Sequence, residues 1–320
     1  MCGIAGICHL DGLDGISPDA IRSMIGVMGH RGPDETGIYL DDGVGLGHAR
    51  LSIIDLSSGT QPIHNEDEEM WIVYNGEVFN YLELRQALEQ KGHRFYTTSD
   101  TEVVLHLYEE EGPAFLEKLN GQFAMAIWDT KKKELFLARD RLGIRPLHYT
   151  IANRALVFGS EIKSIFMCDD VNREIDPVSM DQIFTFWTTL TPRTVFKDIY
   201  ELPPGHYLKT SNGKVTLRKY WEIPLYGRQE QHDTSPQEIC RQVQDLQSGF
   251  VCGPMCLSAA TSAAVSIPQE PRLWSSGIST VMSGLSGSAL SRMDLTKVSI
   301  KTEWCHCSEP TTPRFWQRTI

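Results

Sequence analysis

The order of the predicted secondary-structure elements indicates an α+β protein built as a layered sandwich. Short apolar runs separated by Gly-rich turns predict strands within the first 60 residues, and helix-spaced apolar residues predict two helices between residues 81 and 112. Apolar runs typical of strands return after residue 120. Strands, then helices, then strands again favour a layered α+β arrangement.

The first part of the chain is predicted to form strands at CGIAGIC and GVGLGHARLSIIDL. Between them, SPDAIRSMIGVM opens with a Ser-Pro pair, and Ile21, Met24 and Met28 recur at helical spacing. The segment MWIVYNGEVFN predicts a buried strand that is broken by an Asn-Gly turn.

The middle of the chain is predicted to form two helices and three strands. YLELRQALEQKG is amphipathic and is expected to end at Gly92, because glycine readily adopts the left-handed conformation found at helix ends. A second helix is predicted in TEVVLHLYEEEG. GQFAMAIWD and KELFLARD predict strands joined by a turn at Lys131–Lys133, and ALVFGSE predicts another.

Composition bounds the class of protein. The 320 residues allow two domains with a core each, and a hydrophobic content of 41% is typical of a globular chain. The net charge of -11 argues against a nucleic-acid partner, because phosphates would be repelled. No apolar run is long enough to span a membrane, and the opening residues lack a signal peptide. We therefore expect a cytoplasmic protein with reduced cysteines.

Cys2 is the candidate nucleophile. Removal of Met1 would place Cys2 at the N-terminus, where its own α-amino group, with a pKa near 8, could act as the general base. Judged alone, Cys2 is better explained as a small buried residue at the start of a strand, because buried cysteines are common. The surrounding motifs change this interpretation.

Nine segments occur in a fixed order along Met1–Pro224: MCGIAGI, MGHRGPDETG, GHARLSIIDLSSGTQPI, YNGEVFNYLELR, SDTEVVLHLYEEEG, LNGQFAMAIWD, LFLARDRLGIRPLHY, FGSEIKSI and ELPPGHYL. Together they resemble the glutamine amidotransferases of the N-terminal nucleophile superfamily, and most closely the glutamine-hydrolysing asparagine synthetases. The resemblance implies a four-layer αββα sandwich of two antiparallel sheets. It also implies a class II glutaminase domain at residues 2–208 and a linker at residues 209–246.

The residues of these motifs suit glutamine as a substrate. Free glutamine carries a carboxylate, which Arg50 could bind with its planar guanidinium, and an ammonium, which Asp100 could bind. The Asn75 side-chain amide and the Gly76 N–H could form an oxyanion hole for the tetrahedral intermediate. Glu77 could support this turn or contact the substrate amine.

Each of these residues also has a structural explanation. Arg50 could lie on a sheet edge, Asp100 could cap a helix that starts near Thr101, and Asn75 with Gly76 could form a hairpin turn. The charged turn at residues 30–34 is explained equally by a stable turn or by a place near the glutaminase pocket, as in the family.

A second charged segment follows the strand KELFLARD. Arg139, Asp140 and Arg145 are expected to lie around the end of this strand. We assign them a structural role, in packing and at a domain interface.

The sequence changes character from about Tyr226. YGRQEQHDTSPQE predicts a polar linker, and the Ala/Ser/Gly-rich sequence that follows has no sustained helical or strand period. Members of the family continue into an ATP-pyrophosphatase domain with an SGGLDSS loop that binds phosphates. That string is absent from this sequence.

Synonymous codons can be chosen for Leu246–Gln269 so that a reading frame shifted by one base encodes AVRLRLRADVPVGGYLSGGLDSS. This shifted sequence resembles the missing loop and the segment before it. We therefore interpret residues 247–320 as an out-of-frame remnant of the synthetase domain, without a stable fold. Its cysteines are then a product of the reading frame rather than a zinc site, and no metal site is expected in the chain.

The predicted activity is hydrolysis of glutamine to glutamate and ammonia, as the retained half of a glutamine-dependent asparagine synthetase. No cofactor is expected for this half, whereas the resemblance implies ATP and Mg for the parent family and allows a homodimer. Two alternatives stay open: a class II amidotransferase with an amino-sugar, purine-precursor or β-lactam acceptor, and a non-enzymatic metal or interaction module in the tail.

Overall fold

The computed structural model describes residues 1–11, 15–52, 55, 59–225 and 235–251, with side chains in the last range up to residue 245. Within these residues the chain forms twelve β-strands and six α-helices. The strands are β1 Gly3–His9, β2 Glu35–Asp41, β3 Val44–Arg50, β4 Ile63–His64, β5 Met70–Val78, β6 Gly121–Asp129, β7 Glu134–Arg139, β8 His148–Ala152, β9 Ala155–Gly159, β10 Tyr200–Glu201, β11 His206–Ser211 and β12 Lys214–Lys219. The helices are α1 Pro18–Gly26, α2 Tyr81–Lys91, α3 Asp100–Glu111, α4 Ile162–Ile165, α5 Pro177–Phe186 and α6 Pro236–Val251, and a 3₁₀ helix lies at Gly112–Glu117.

The strands form two six-stranded sheets whose pairings are antiparallel. The first sheet has the order β10-β8-β9-β1-β3-β2, and the second has the order β12-β11-β7-β6-β5-β4. Because β1 and β5 are interior strands, each of them is held on both sides by neighbours. The N-terminal residues are therefore attached to a rigid part of the first sheet.

Three apolar cores separate four layers. One core lies between the first sheet and the helices α1 and α4, the next lies between the two sheets, and the last lies between the second sheet and the helices α2 and α3. This arrangement confirms the αββα sandwich expected from the sequence.

Strand alternation decides which side chains lie between the sheets. In β1, Ile4 and Cys8 contribute to the inter-sheet core, whereas Ala5 and Ile7 pack toward α1. The period of two places Cys2 on the same side as Ile4. In β5 the same rule places Asn75 on the side of Val73, so that the candidate nucleophile and its candidate oxyanion donor project into the space between the sheets.

Asn75 and Gly76 do not form a turn, contrary to the prediction. They lie inside β5 and pair with Ala124 and Phe123 of β6. The glycine is required by a close approach, because a Cβ at position 76 would lie 2.5 Å from the carbonyl oxygen of Gln122. Pairing along the whole strand therefore outweighs the local preference of Asn-Gly for turns.

The sheet continues past residue 208, where the glutaminase domain was expected to end. β11 and β12 form a hairpin, and β11 pairs with β7, so that ordered strand extends to Lys219. Part of the expected linker at residues 209–246 is also helical, since α6 begins at Pro236. The Ser235 hydroxyl accepts a hydrogen bond from the Glu238 N–H at the start of this helix, 3.3 Å away.

Residues 247–320, which were expected to be an out-of-frame segment, lie outside the described residues, apart from the backbone of α6 up to Val251. In the described part of the chain, no helix combines the length and apolar character needed to cross a membrane.

Candidate active site

All six residues selected from the sequence line one cavity. The cavity lies between the start of β1, the end of β3, the middle of β5 and the start of α3. Its lining consists of Met1, Cys2, Arg50, Leu51, Gly59, Gln61, Tyr74, Asn75, Gly76, Glu77, Ser99, Asp100, Thr101 and Arg145. A thiol, two side-chain amides, two guanidinium groups and two carboxylates therefore converge in one place.

Cys2 is half-buried at the end of this cavity. The Leu51 N–H donates a hydrogen bond to the Cys2 Sγ atom at 3.3 Å. Burial raises the pKa of the Cys2 thiol, whereas the Leu51 N–H, the chain N-terminus and Arg50 lower it. Burial is the largest of these effects, so the pKa of the thiol is raised on balance, and the other groups offset only part of that shift.

Asn75 supplies a donor beside this thiol. The side chain is 1% exposed, and its Nδ2 atom has no hydrogen-bond partner among the described residues. A buried amide nitrogen without a partner costs free energy, typically about 1–3 kcal/mol. Such a group is stabilised when an oxyanion forms within its reach.

Arg50 is buried and already engaged by protein groups. Its Nη1 atom donates to the Glu35 Oε2 atom at 2.8 Å, and its Nη2 atom donates to the Asp55 carbonyl. Glu35 is the cross-strand neighbour of Arg50, and its carboxylate also accepts from Thr60. A substrate carboxylate would therefore meet an arginine whose orientation is fixed by the protein.

Asp100 is the first residue of α3, but it does not cap the helix. Ser99 is the cap, since its hydroxyl accepts from the Thr101 N–H at 3.2 Å. The Asp100 Oδ2 atom instead accepts from the Val78 N–H at 3.0 Å. Burial, together with the charge of Glu77, raises the pKa of Asp100 to about 6.

Glu77 is 8% exposed and lies beside Asp100 in the cavity. Burial raises the pKa of this carboxyl, and the positive charge of Arg145 opposes the shift. Two buried carboxylates at this end of the cavity form an acidic region that matches an ammonium group.

Arg145 was assigned a structural role from the sequence, but its side chain lines the cavity. Its Nε atom is buried and has no hydrogen-bond partner among the described residues. The two neighbouring charged residues hold the backbone of Arg145 in place. Asp140 accepts from the Arg145 N–H at 2.9 Å, and Arg139 donates to the Arg145 carbonyl at 2.7 Å.

The charged turn at residues 30–34 contacts the candidate nucleophile, Cys2, at the backbone carbonyl of that residue. The Arg31 Nε atom donates to the Cys2 carbonyl at 3.0 Å, and the Arg31 Nη1 atom pairs with Glu161 at the same distance. The Asp34 carboxylate accepts from the Ser52 N–H at 2.8 Å. The turn therefore positions the two chain segments that carry Cys2 and Leu51.

Gln61 is a cavity residue that sequence reasoning missed. Its Oε1 atom accepts from the Tyr74 N–H at 2.6 Å, and its Nε2 atom lies 3.4 Å from the Thr101 hydroxyl, to which it donates. It thus links β5 to the start of α3. No sequence pattern marks it, because its partners are 13 and 40 residues away.

An αββα sandwich with a cysteine at the start of an interior strand, and a buried amide donor in the same cavity, is the arrangement expected of a glutamine amidotransferase. Comparison with known families agrees: residues 1–221 match the family described as glutamine amidotransferase domain, and the chain belongs to this family. The family resemblance expected from the sequence is thereby confirmed.

Curated relatives include the glutamine-hydrolysing asparagine synthetase 3 of Bacillus subtilis, which is 36% identical over 249 residues, covering 77% of this chain and 40% of the relative. Amidase chyE of Penicillium rubens is also 36% identical, over 229 residues that cover 71% of this chain and 33% of the relative. The chain thus spans less than half the length of these relatives.

Among solved structures, glutamine phosphoribosylpyrophosphate amidotransferase from B. subtilis matches with a TM-score of 0.52 and 21% identity. The match covers 69% of this chain and 49% of that one. At this identity the comparison supports the fold alone.

Proposed function

We propose that this chain hydrolyses glutamine to glutamate and ammonia, with Cys2 as the nucleophile. The observation that carries the proposal is the unpartnered Asn75 Nδ2 atom, buried in the same cavity as the Cys2 thiol. A nucleophile and a preorganised donor in one cavity are the two groups that acyl transfer requires.

In the proposed reaction, the Cys2 thiolate attacks the side-chain carbonyl carbon of glutamine. The carbonyl oxygen becomes an oxyanion, which the Asn75 amide and the Gly76 N–H stabilise. The C–N bond then breaks, the nitrogen leaves as ammonia after protonation, and a thioester to Cys2 remains. Water attacks the thioester, releasing glutamate and the free thiol.

The proton carrier in this proposal is the α-amino group of Cys2. This group becomes free only when Met1 is removed, and Met1 lies at the cavity wall and is 55% exposed. A free amine beside the thiol can take its proton and then give it to the departing ammonia. The proposal therefore includes removal of Met1, which the intact mass of the purified protein reports directly.

Recognition of the substrate is proposed to follow charge. Asp100 and Glu77 receive the ammonium group, and Arg50 receives the carboxylate. Arg145 adds a second guanidinium group, and the N–H at its buried Nε atom could donate a hydrogen bond to the substrate. With both charged ends bound, the side-chain amide of the substrate would be directed toward Cys2.

The parent activity is proposed to be glutamine-dependent asparagine synthesis from aspartate and ATP. Identities of 36–38% to three asparagine synthetases of B. subtilis support this acceptor. An exposed apolar surface on and beside α5 also supports a larger parent enzyme, since Phe184 is 80% exposed and Trp187 is 93% exposed. Apolar surface of this kind is typical of a face that another domain covers.

This chain is proposed to keep only the hydrolytic half. The SGGLDSS loop expected to bind ATP and Mg is absent from the sequence, so that activation of aspartate would lack its phosphate site. An alternative acceptor is favoured by one observation, namely that amidases chyE and chry2 match the same region at 36% and 35% identity.

The test is an assay of the full chain with glutamine alone. Release of equal amounts of glutamate and ammonia is expected, and asparagine in place of glutamine should not be hydrolysed at a comparable rate, because its amide is one methylene closer to the charged end. Failure of the Met1-processed protein to release ammonia would refute the proposal.

A further inference from the structure

A second cluster of chemically reactive side chains lies outside the glutamine cavity. It consists of Glu66 in the loop between β4 and β5, His93 between α2 and α3, and His106 and Glu109 on α3. One ligand atom from each residue lies within 4.8 Å of those from the other three. Three separate segments of the chain therefore direct nitrogen and oxygen ligands toward one point.

The distances fit a tetrahedral site. Zinc bonds of about 2.0–2.1 Å place neighbouring ligand atoms roughly 3.3–3.4 Å apart. The His106 Nδ1 atom lies 3.2 Å from the Glu109 Oε2 atom and 3.4 Å from the Glu66 Oε2 atom. The His93 Nδ1 atom lies 3.4 Å from the Glu66 Oε1 atom, the other oxygen of that carboxylate, and 4.0 Å from the Glu109 Oε2 atom. Small side-chain rotations would complete the tetrahedron.

His93 is oriented from behind by a carboxylate, whereas the buried Nε2 atom of His106 has no hydrogen-bond partner among the described residues. The His93 Nε2 atom lies 3.2 Å from Glu110, whose carboxylate is held by Lys91 at 2.7 Å. The His106 Nε2 atom lies 3.7 Å from Glu102. The carboxylate at Nε2 of His93 favours the tautomer of that residue that carries its proton there, which directs the lone pair of its Nδ1 atom into the cluster.

The two glutamates are oriented in the same manner. The Arg94 N–H donates to the Glu66 Oε1 atom at 2.8 Å, and the Asn65 amide donates to the Glu109 Oε1 atom at 3.2 Å. In both residues the second oxygen is the one that lies near His106. His93 and the two glutamates therefore each have a supporting partner, as is usual for metal ligands in proteins.

From this geometry we propose that Glu66, His93, His106 and Glu109 bind one zinc ion. Imidazole nitrogens and carboxylate oxygens suit Zn²⁺, and four protein ligands in a closed tetrahedron are typical of a structural rather than a catalytic site. The ion would join the β4–β5 loop and the α2–α3 connection to α3. The same helix presents Asp100 to the glutamine cavity from its first residue.

The competing explanation is an ion-pair network of protonated histidines and glutamates without metal. The full chain, freed of metal with EDTA, is incubated with Zn²⁺ and dialysed, and zinc is measured per chain. The double variant Glu66→Gln, His93→Gln is expected to bind one equivalent less than wild type. Glu83→Gln, on the exposed face of α2, is the matched control and should bind as wild type does.

The comparison with wild type removes any contribution from the cysteines, which are the same in all variants. Substitution with Co²⁺ gives a second readout: tetrahedral nitrogen and oxygen ligands should give visible d–d bands without a thiolate charge-transfer band, and the double variant should lose them. Zinc should also raise the thermal midpoint of wild type and not that of the double variant.

Equal zinc content in wild type and in the double variant would overturn the proposal, as would a cobalt spectrum that shows thiolate ligation alone. If the double variant does not fold, the single variant Glu66→Gln serves, because this side chain is 35% exposed and its loss leaves no buried charge. The outcome does not depend on glutaminase activity and is read separately from it.

Discussion

The Leu51 N–H donates a hydrogen bond to the Cys2 Sγ atom across 3.3 Å, although 49 residues separate the two in the sequence. The pairing of β1 with β3, in which Gly3 lies opposite Ala49, brings them together. The thiol is therefore held at a fixed place beside the cavity. The donor also favours the thiolate over the neutral thiol, because the hydrogen bond is stronger to the charged form.

Replacement of the nucleophile is the first prediction. Cys2→Ala should abolish ammonia release while the thermal midpoint stays near that of wild type, because the half-buried side chain loses only its sulfur atom. The matched control is Cys168→Ala, a cysteine whose pKa burial raises to about 11, and this variant should keep full activity. Undiminished ammonia release by Cys2→Ala would exclude Cys2 as the nucleophile.

The second prediction concerns the oxyanion donor. Asn75→Ala should lower kcat by roughly 10²–10³ and leave the KM for glutamine within a few-fold of wild type, because the donor acts on charge that develops in the transition state. Steady-state kinetics over a range of glutamine concentrations separate the two constants. A change confined to KM would show that Asn75 binds the substrate in its ground state instead.

The third prediction uses the pKa of Asp100, which is about 6 in the unliganded protein. Only the ionised carboxylate pairs with the substrate ammonium, so the KM for glutamine should be constant above pH 6 and rise up to about tenfold per pH unit below it. Asp100→Asn should raise KM above pH 6 and weaken this dependence, because its neutral side chain resembles the protonated wild-type carboxyl at every pH. Asp19→Asn, at an exposed position on α1, is the control.

The same shift has a consequence for stability. Because the folded-state pKa of Asp100 lies above the usual value near 4, its protonated form stabilises the fold below that value, and this contribution is lost as the pH rises through about 6. Asp100→Asn should therefore raise the thermal midpoint more at pH 8 than at pH 4. An equal shift at both values would contradict the raised pKa.

The fourth prediction concerns packing around the cavity. A Cβ at Gly37 of β2 would lie 1.8 Å from the Gln61 carbonyl oxygen, and Gln61 lines the cavity. Gly37→Ala should therefore lower the free energy of unfolding by about 1–3 kcal/mol and reduce activity as well. Gly26→Ala is the control, since no atom lies within 4 Å of its added methyl group. Chemical denaturation compares the two, and equal stability would contradict the clash.

The last prediction concerns residues 247–320. If they are out of frame, the full chain supplied with ATP, aspartate and glutamine should yield glutamate and ammonia but no asparagine. Limited proteolysis should leave an active core that ends between about residues 224 and 246. Asparagine formed by this chain, or a tail resistant to protease, would contradict the frameshift.

Local sequence signals predicted the elements that depend on near neighbours. α2 ends where Gly92 adopts a left-handed conformation, with φ of 104°, and the strands on either side of the turn at residues 131–133 form β6 and β7 as expected. The same type of signal failed at Asn75 and Gly76, because the pairing of β5 with β6 is formed by residues almost 50 positions away. Local preference is weaker than a full ladder of strand hydrogen bonds.

The sequence by itself determined the four-layer fold, and it selected Cys2 and the five other residues that the structure places around one cavity, because the ordered motifs identify the family. Only the tertiary structure decided that Arg145 lines the cavity, that Arg31 holds the backbone of Cys2, and that His93 and His106 converge on two glutamates. These relationships depend on distances between segments far apart in the chain. Periodicity and spacing in the sequence predict only which face of a helix or strand a residue occupies. The packing of the elements decides which other residues that face contacts.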